Sequence, residues 1–211
     1  MTVVVAVVNT KGGTGKTTTV AYAAHALHEQ GRRVAVVDAD PQGSAVSWSR
    51  YAGGWPFPVI TDLDKPDLHR RLPGVVGTDY DVLLIDTPPL DQLKGVVVSA
   101  LIAATVVLVP VAPTPAEVER MRAVREAITR SGDLRVSGLP PRSAVLLSRT
   151  VAGAASTAAW REQLEAAGDW VLRVQVARLE RFAQAFGGPI ERASTTGYGD
   201  AINELLEGAQ R

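Results

Sequence analysis

Short runs of wholly apolar residues alternate with segments of helical periodicity along most of the chain. Four runs are the clearest: Val3–Val8, Val34–Val37, Val82–Ile85 and Val106–Val109. Uninterrupted apolar runs of this length are typical of strands buried on both faces of a parallel sheet. Between the first two runs, Gly15–Gln30 has apolar residues at helical spacing, and Gly31 supplies a helix stop.

The alternation continues along the rest of the chain. Further strands are predicted at Val59–Thr61, Ala144–Leu147 and Trp170–Val174, and further helices at Gln92–Ile102, 114–130, Ala155–Ala167, Leu179–Phe186 and Gly199–Glu207. In Thr114-Pro115-Ala116-Glu117, Thr114 is the predicted cap and Glu117 closes a capping box. Residues 41–80 are rich in Gly and Pro, which predicts loops and short pieces. The pattern predicts an α/β fold with a mostly parallel, roughly seven-stranded sheet and helices on both faces.

Composition narrows the class of protein. A length of 211 residues suits one domain, 1–211, and a chain with 46% hydrophobic but 5% aromatic residues needs a core of Val, Ala, Leu and Ile. Cysteine is absent, which excludes disulfides and thiolate or iron–sulfur sites. No apolar stretch approaches ~18 residues and no signal peptide is evident, so we expect a soluble cytoplasmic protein. The net charge of zero excludes a uniformly basic nucleic-acid binder but not a local basic patch.

The strongest chemical signal lies between the first strand and the first helix. It reads Thr10-Lys11-Gly12-Gly13-Thr14-Gly15-Lys16-Thr17-Thr18. Glycines allow backbone N–H groups to turn toward an anion, and the helix N-terminus adds its positive dipole end. Lys16 is therefore predicted to reach the β- and γ-phosphates of a nucleotide, and the Thr17 hydroxyl to bind Mg²⁺.

Carboxylates follow two of the predicted strands. Asp38-Ala39-Asp40-Pro41-Gln42-Gly43 comes directly after the second strand, and Asp86 ends Val82–Ile85 and precedes Thr87-Pro88-Pro89. At the carboxyl ends of parallel strands, Asp40 is placed to orient an attacking water, while Asp38 and Asp86 are placed to hold Mg²⁺. Taken alone, each segment is also typical of an ordinary turn or strand end without a function in catalysis. Their position beside the phosphate loop favours the functional interpretation.

These segments resemble the deviant Walker A ATPases, the group of ParA, MinD and the nitrogenase iron protein. The resemblance rests on residues 9–18, 38–43 and 85–89, and it extends over nearly the whole chain except residues 44–80. By this resemblance Lys11 reaches across a dimer interface to the partner's nucleotide, and Asp40 is needed for hydrolysis. The segment Thr87-Pro88-Pro89 would form a switch loop that senses the γ-phosphate.

The resemblance implies a ParA-type partition ATPase with ATP and Mg²⁺ as cofactors and a weak intrinsic rate. ATP would drive the formation of a homodimer that binds DNA without sequence preference and associates with the nucleoid. A ParB-like centromere-binding adaptor would stimulate hydrolysis and release the dimer. The first strand starts at Val3, so we expect no N-terminal helix-turn-helix domain. Ser148 stands where many relatives have the base-reading Asn, so a preference for ATP over GTP rests on the resemblance alone.

Non-specific DNA binding requires a basic face. Between Arg135 and Arg181 there are seven Arg against four acidic residues, a modest excess. The predicted DNA-binding residues are Arg149, Arg173, Arg178 and Arg181. Scattered solvated arginines are the alternative for any one of them.

Two other functions fit the same scaffold. A MinD-like protein needs a C-terminal amphipathic membrane helix, but Ala201–Arg211 carries two Glu and an apolar stripe suited to a core, so no membrane partner is expected. A cargo-positioning ATPase like MinD or McdA and a biosynthetic P-loop ATPase remain alternatives. His25 and His28 are predicted at the surface of the first helix, and the four Trp are predicted to be packing anchors.

Overall fold

The computed structural model describes residues 2–77 and 79–209. Within these ranges a seven-stranded sheet runs in the order β3-β2-β4-β1-β5-β6-β7, and every neighbouring pair is parallel. The strands are β1 (Val3–Val7), β2 (Val34–Asp38), β3 (Val59–Ile60), β4 (Val82–Asp86), β5 (Val106–Val111), β6 (Arg142–Thr150) and β7 (Trp170–Ala177). The predicted α/β P-loop fold with a parallel sheet is confirmed.

Helices cover both faces of this sheet. They are α1 (Lys16–Glu29), α2 (Ser44–Tyr51), α3 (Leu68–Val76), α4 (Lys94–Ala103), α5 (Pro115–Gly132), α6 (Ala155–Ala166), α7 (Glu180–Ala183) and α8 (Gly197–Ala209), with a short 3-10 helix at Ala193–Thr195. Successive residues of each strand point to opposite faces. Val5 and Val7 therefore join an apolar cluster with α1, α2 and α8, while Ala6 joins a second cluster with α3 to α6.

The strand register brings the chemically important segments to one edge of the sheet. Val7 at the end of β1 pairs with Asp86 at the end of β4, and Asp86 pairs with Asp38 at the end of β2. The phosphate loop follows β1, so the two carboxylates and the loop share the carboxyl edge, where α/β proteins bind ligands.

Residues 41–80 differ most from the sequence prediction, because two helices lie where loops and short pieces are predicted. Helix α2 buries Ala45 and Trp48, and helix α3 buries Leu68, Leu72 and Val76 at a spacing of four residues. That spacing is a helical signal. Gly and Pro mask it, since Pro73 lies inside α3 and cannot donate a backbone hydrogen bond.

The predicted capping box at the start of α5 is wrong. The Thr114 side chain makes no cap hydrogen bond, and Glu117 Oε2 instead accepts a hydrogen bond from the backbone N of Ala112 at 2.8 Å. Glu117 turns away from the cap because the N–H of Ala112 holds Oε2, while the other oxygen, Oε1, lies 2.6 Å from Arg149 Nη2.

The predicted surface position of His25 is also wrong. His25 is buried against Trp55 and Phe57, and its Nδ1 lies 2.8 Å from the carbonyl oxygen of Ala21. The segment that covers it, residues 52–58, is one for which the sequence predicts only loops. Trp48 is fully buried, as a packing anchor should be.

Among residues 2–77 and 79–209, no helix combines the length and the apolarity needed to cross a bilayer.

Candidate functional site

The phosphate loop joins β1 to α1 and depends on two glycines in left-handed backbone conformations. Gly13 has φ 72° and Gly15, the residue before α1, has φ 89°. Residues with a Cβ rarely adopt such angles. Gly15 has no side chain to cap the helix, so the first N–H groups of α1 are available to an anion.

Lys16 is the first residue of α1, and its ammonium group lies inside the loop. The side chain is buried and Nζ donates a hydrogen bond to the carbonyl oxygen of Lys11 at 3.0 Å. Burial lowers the pKa of Lys16, while the charges of Asp86 and Asp40 act in the opposite direction. The positive charge is thus held between the loop and two carboxylates, where a phosphate group fits. Lys11 itself is exposed.

Thr17 and Asp86 form the centre of the expected metal site. Thr17 Oγ1 donates a 2.7 Å hydrogen bond to Asp86 Oδ2, and Asp86 is 1% exposed. Burial raises the pKa of Asp86 to about 7, against the hydrogen bond from Thr17; the charge of Asp38 raises it further, and that of Lys16 lowers it. The other oxygen of this carboxylate, Oδ1, is buried and bonds to no described residue. A carboxylate with a free oxygen beside a hydroxyl fits a hard divalent cation such as Mg²⁺.

Asp38 has a structural role that the sequence does not reveal. Its Oδ2 accepts a hydrogen bond from Val46 N in the first turn of α2 at 2.9 Å, and its Oδ1 accepts one from Asp40 N at 3.3 Å. Burial raises the pKa of Asp38, and the bond from Val46 lowers it. Asp38 therefore fixes both α2 and the backbone of Asp40, in addition to lying beside Asp86 in the sheet.

Asp40 is half-buried, and its Oδ1 accepts a 3.0 Å hydrogen bond from Gln42 N. It lines an open cavity of about 490 Å³ together with Lys16 and Thr17 of the loop. Pro89 and Gln92 form another wall of this cavity. Asp40 thus shares one cavity with the phosphate loop, and its role in hydrolysis stays a prediction.

The segment after β4 is tied to the phosphate loop by backbone contacts. Thr87 is fully buried and its Oγ1 donates to the carbonyl oxygen of Val7 at 2.7 Å. Leu90 N and Asp91 N donate to the carbonyl oxygens of Asn9 and Thr10, each at 3.1 Å. A shift of one segment therefore reaches the other, which is the arrangement that a phosphate-sensing switch loop needs.

A second cavity, of about 530 Å³, lies on the other side of the phosphate loop. Its walls come from the loop, from the ends of β5, β6 and β7, and from α7 and α8. Ser148 Oγ at the end of β6 is buried, lines this cavity and bonds to no residue of the described chain. A pocket of this size with an unpartnered hydroxyl fits a nucleoside attached to phosphates held by the loop.

The structure does not bring the four predicted DNA-binding arginines together. Arg149 is half-buried in the second cavity, where it contacts Glu117 and the carbonyl oxygen of Gly13. Arg178 lines the same cavity but is exposed, and Arg181 lies 4.9 Å from the ring centroid of Phe182. Arg173 lies on edge strand β7 and pairs with Glu204. Arg149 and Arg178 thus share one cavity, whereas Arg173 lies apart from it on β7.

A parallel α/β sheet with a phosphate loop after its first strand defines the class of P-loop nucleotide-binding proteins. Within this class, the chain belongs to the family of the CobQ/CobB/MinD/ParA nucleotide-binding domain, whose family model matches residues 5–191.

Three curated relatives are similar to this chain in sequence. It is 30% identical over 210 residues to the maintenance of carboxysome distribution protein A of Halothiobacillus neapolitanus, covering 95% of this chain and 93% of that protein. The protein of the same name from Gloeobacter kilaueensis is 39% identical over 132 residues, 61% of this chain and 58% of that protein. The sporulation initiation inhibitor protein Soj of Bacillus subtilis is 30% identical over 149 residues, 68% of this chain and 51% of that protein.

Solved structures share the fold. Apo McdA of Cyanothece superposes with a TM-score of 0.76 at 18% identity, covering 100% of both chains. Cobyrinic acid a,c-diamide synthase of Mycobacterium smegmatis, solved with an ATP analogue and magnesium, gives a TM-score of 0.76 at 23% identity over 100% of this chain and 96% of that one. ATP and Mg²⁺, the cofactors expected from the sequence, agree with the ligands of that structure.

Proposed function

We propose that this chain binds Mg²⁺-ATP and hydrolyses it slowly, as a nucleotide switch of the ParA type. The observation that carries the proposal is the pair of Thr17 and Asp86, whose free buried oxygen Oδ1 lies beside the phosphate loop. We also propose that residues 1–211 act as one domain, because the two apolar clusters lie on opposite faces of one sheet.

Each site residue has a physical role in this proposal. The loop amides and the first turn of α1 hold the phosphates, and Lys16 neutralises charge on them. Thr17 and Asp86 would hold Mg²⁺, and Asp38 would support the ligand shell of the ion. The ion would neutralise further negative charge on the phosphates. Asp40 would orient the attacking water. Since the site offers few groups for fast chemistry, a low turnover is expected.

Dimerisation in the ATP state is part of the proposal. Lys11 is exposed, and its neighbour Gly12 lines the cavity that contains Asp40. A second copy placed face to face would receive Lys11 at its own phosphates. The free energy of nucleotide binding would then be coupled to that of dimer formation.

The dimer is proposed to bind DNA non-specifically and thereby to associate with the nucleoid. Arg178 and Arg181 are exposed near the end of β7, and Arg173 is 88% exposed despite its pairing with Glu204. A dimer would double this modest basic surface, which increases the number of phosphate contacts. A ParB-like adaptor would then stimulate hydrolysis and release the dimer, as in partition of a plasmid or chromosome.

Positioning of a protein cargo is the second candidate. The relatives from Halothiobacillus and Gloeobacter carry the name maintenance of carboxysome distribution protein A, and one of them matches over 95% of this chain. Soj, the partition-type relative, is 30% identical over 68% of the chain. The switch itself would be the same in both cases, and the adaptor would determine which cargo is moved.

The first experiment tests the phosphate loop. Lys16→Ala should abolish Mg²⁺-ATP binding in calorimetry, because the buried ammonium is the charge that faces the phosphates. Lys65→Ala, which removes an exposed lysine paired only with Asp64 at 3.9 Å, is the matched control and should bind normally. Retained ATP affinity in Lys16→Ala would refute the assignment of the loop.

A second experiment tests the proposed binding to DNA. Binding to random-sequence duplex DNA is measured by anisotropy with Mg²⁺-ATP and Mg²⁺-ADP across a salt series. Binding with ATP alone that weakens steeply with salt supports a DNA-tethered switch. Absence of binding in both states, with hydrolysis intact, would refute the DNA proposal and favour a small-molecule substrate or a cargo surface of another kind.

A further inference from the structure

Arg149 occupies an unusual place at the end of β6. Its Nη2 forms an ion pair with Glu117 Oε1 at 2.6 Å, and its Nη1 donates to the carbonyl oxygen of Gly13 at 3.2 Å. The guanidinium therefore connects α5 to the phosphate loop, and the side chain is 38% exposed. A planar guanidinium can make both contacts at once, whereas an ammonium cannot match this geometry.

The backbone of Arg149 is held in a disfavoured conformation. Its φ is 55°, one of three positive values among the described residues other than glycine. Such conformations persist where surrounding contacts enforce them, and they are frequent at functional sites. Here β6 and β7 shift register between Ser148 and Thr150, and this irregularity turns Arg149 out of the strand toward the loop.

Glu117 is fixed independently of Arg149. Its Oε2 accepts the hydrogen bond from Ala112 N, so the carboxylate is anchored to the segment between β5 and α5. The ion pair is thus built on a fixed acceptor, and the reach of Arg149 to Gly13 does not depend on a freely rotating partner.

The contact with Gly13 determines the orientation of one peptide group of the loop. The described residues contain no cis peptide bond, so the N–H of Thr14 points away from the Gly13 carbonyl and from Arg149. Inward-pointing N–H groups are what allow such a loop to hold an anion. With its carbonyl bound to Arg149, the peptide between Gly13 and Thr14 is prevented from flipping.

We propose that Arg149, anchored by Glu117, is a positioning residue that orients the Gly13–Thr14 peptide of the phosphate loop for nucleotide binding. The inference rests on the proposed function, since it assumes that the loop binds phosphates. It gives the arginine a role in nucleotide affinity rather than in a DNA-binding face.

The test is Arg149→Asn, because Asn tolerates positive φ but is too short to reach Gly13 or Glu117. The dissociation constant for Mg²⁺-ATP should rise about tenfold, the scale expected for a lost hydrogen bond from a charged donor. In turnover assays the KM should rise more than the kcat changes, since Asp40 lies in the other cavity. Arg149→Lys should restore only part of the affinity.

A matched control distinguishes positioning from general stability. Arg125 also forms an ion pair with a carboxylate, with Nε 2.8 Å from Oδ1 and Nη2 2.5 Å from Oδ2 of Asp169, and it lines neither cavity at the loop. Arg125→Asn should lower the melting temperature to a similar degree but leave the ATP affinity within about twofold of wild type. An equal loss of affinity in both variants would overturn the proposal.

Glu117→Gln tests the anchor and covers the case in which Arg149→Asn fails to fold. The amide can still accept the bond from Ala112, but its charge is gone, so ATP should bind more weakly. The double variant should lose no more affinity than Arg149→Asn alone, because the two residues act as a unit. Unchanged affinity in either single variant would refute the positioning role alone, whereas a wild-type protein that binds no ATP would refute the proposed function as well.

Discussion

At the scale of single residues, the site is defined by carboxylates whose charge is held out of water. Asp38 and Asp86 are both buried, and burial raises the pKa of each. An ionised carboxylate in such a place costs free energy unless a cation or hydrogen bonds compensate it. Asp38 is compensated by backbone N–H groups, while Asp86 has one oxygen that bonds to no described residue. The two residues therefore differ in role, although the sequence presents them alike.

Substitution of Asp38 should separate its structural role from its charge. Asp38→Ala leaves Val46 N without its acceptor inside α2 and should lower the free energy of unfolding by about 1–3 kcal/mol. Asp38→Asn keeps one oxygen acceptor for Val46 N, loses the longer bond from Asp40 N and removes a charge that burial disfavours, so without Mg²⁺ it should be more stable than Asp38→Ala. Urea unfolding of both variants provides the comparison. Equal stability of the Ala variant and wild type would contradict the role as an anchor for α2.

Residue types and spacing were enough to predict that the loop, Asp38, Asp40 and Asp86 share one edge of the sheet. They were not enough to place Arg149, because its position depends on the irregular pairing of β6 with β7 and on Glu117 from another element. Neither contact leaves a local sequence pattern. Nor does a sequence pattern show which oxygen of a buried carboxylate is already used.

At the scale of elements, the packing of α8 on α1 stabilises the helix that begins at the phosphate loop. Tyr198 of α8 stacks on Tyr22 of α1 with ring centroids 5.3 Å apart, and Phe182 approaches both rings edge-on at 5.0 Å. Tyr198 also lines the cavity on the nucleoside side. The aromatic group thus connects the helix that begins at the phosphate loop to α8 and to the segment after β7.

This packing predicts a loss of stability at alkaline pH. Burial raises the pKa of Tyr198 to about 12, with the charge of Tyr22 acting in the same direction. The unfolded value is about 10, so the folded protein keeps a proton that the unfolded chain has lost between these pH values. The contribution of Tyr198 to the free energy of unfolding is complete below about pH 10 and falls by about 2 kcal/mol as the pH rises to about 12.

Absorbance at the tyrosinate band measures this directly. Tyr198→Phe should remove a late titration step that accompanies unfolding, whereas Tyr51→Phe, at a side chain that is 63% exposed, should leave that step in place. Titration of every tyrosine of the folded protein near the unfolded value would contradict the prediction.

Most elements were predictable because buried parallel strands and longer helices carry strong periodicity. The exceptions are α2 and α3, which have 8 and 9 residues and lie among glycines and prolines. A short helix is stabilised mainly by tertiary packing rather than by its own sequence. For α2 that packing includes the fully buried Trp48, whose Nε1 donates to the distant carbonyl oxygen of Gly188 at 2.9 Å.

At the scale of the whole molecule, the proposed switch needs two copies of the chain. Lys11→Ala should leave binding of ATP to the monomer close to normal, because Lys16 and the loop amides remain, but it should abolish the ATP-dependent dimer. Asp40→Ala should do the opposite and trap that dimer by blocking hydrolysis. Light scattering with Mg²⁺-ATP distinguishes the two variants. An ATP dimer formed by Lys11→Ala would refute the contact across the interface.

The phosphate loop lies between two cavities, since Gly13, Gly15 and Thr18 line both of them. Ser148 and Arg149 line one cavity, and Asp40, Gln42 and Gln92 line the other. In the proposed switch, the choice of nucleobase and the signal to a partner would therefore depend on different side chains. A substitution that enlarges the cavity beside Ser148 could allow an ATP analogue with a bulky base to bind, while the cavity that contains Asp40 keeps its residues. Such an orthogonal pair would allow the proposed switch to be driven or stalled selectively among related ATPases in a living cell.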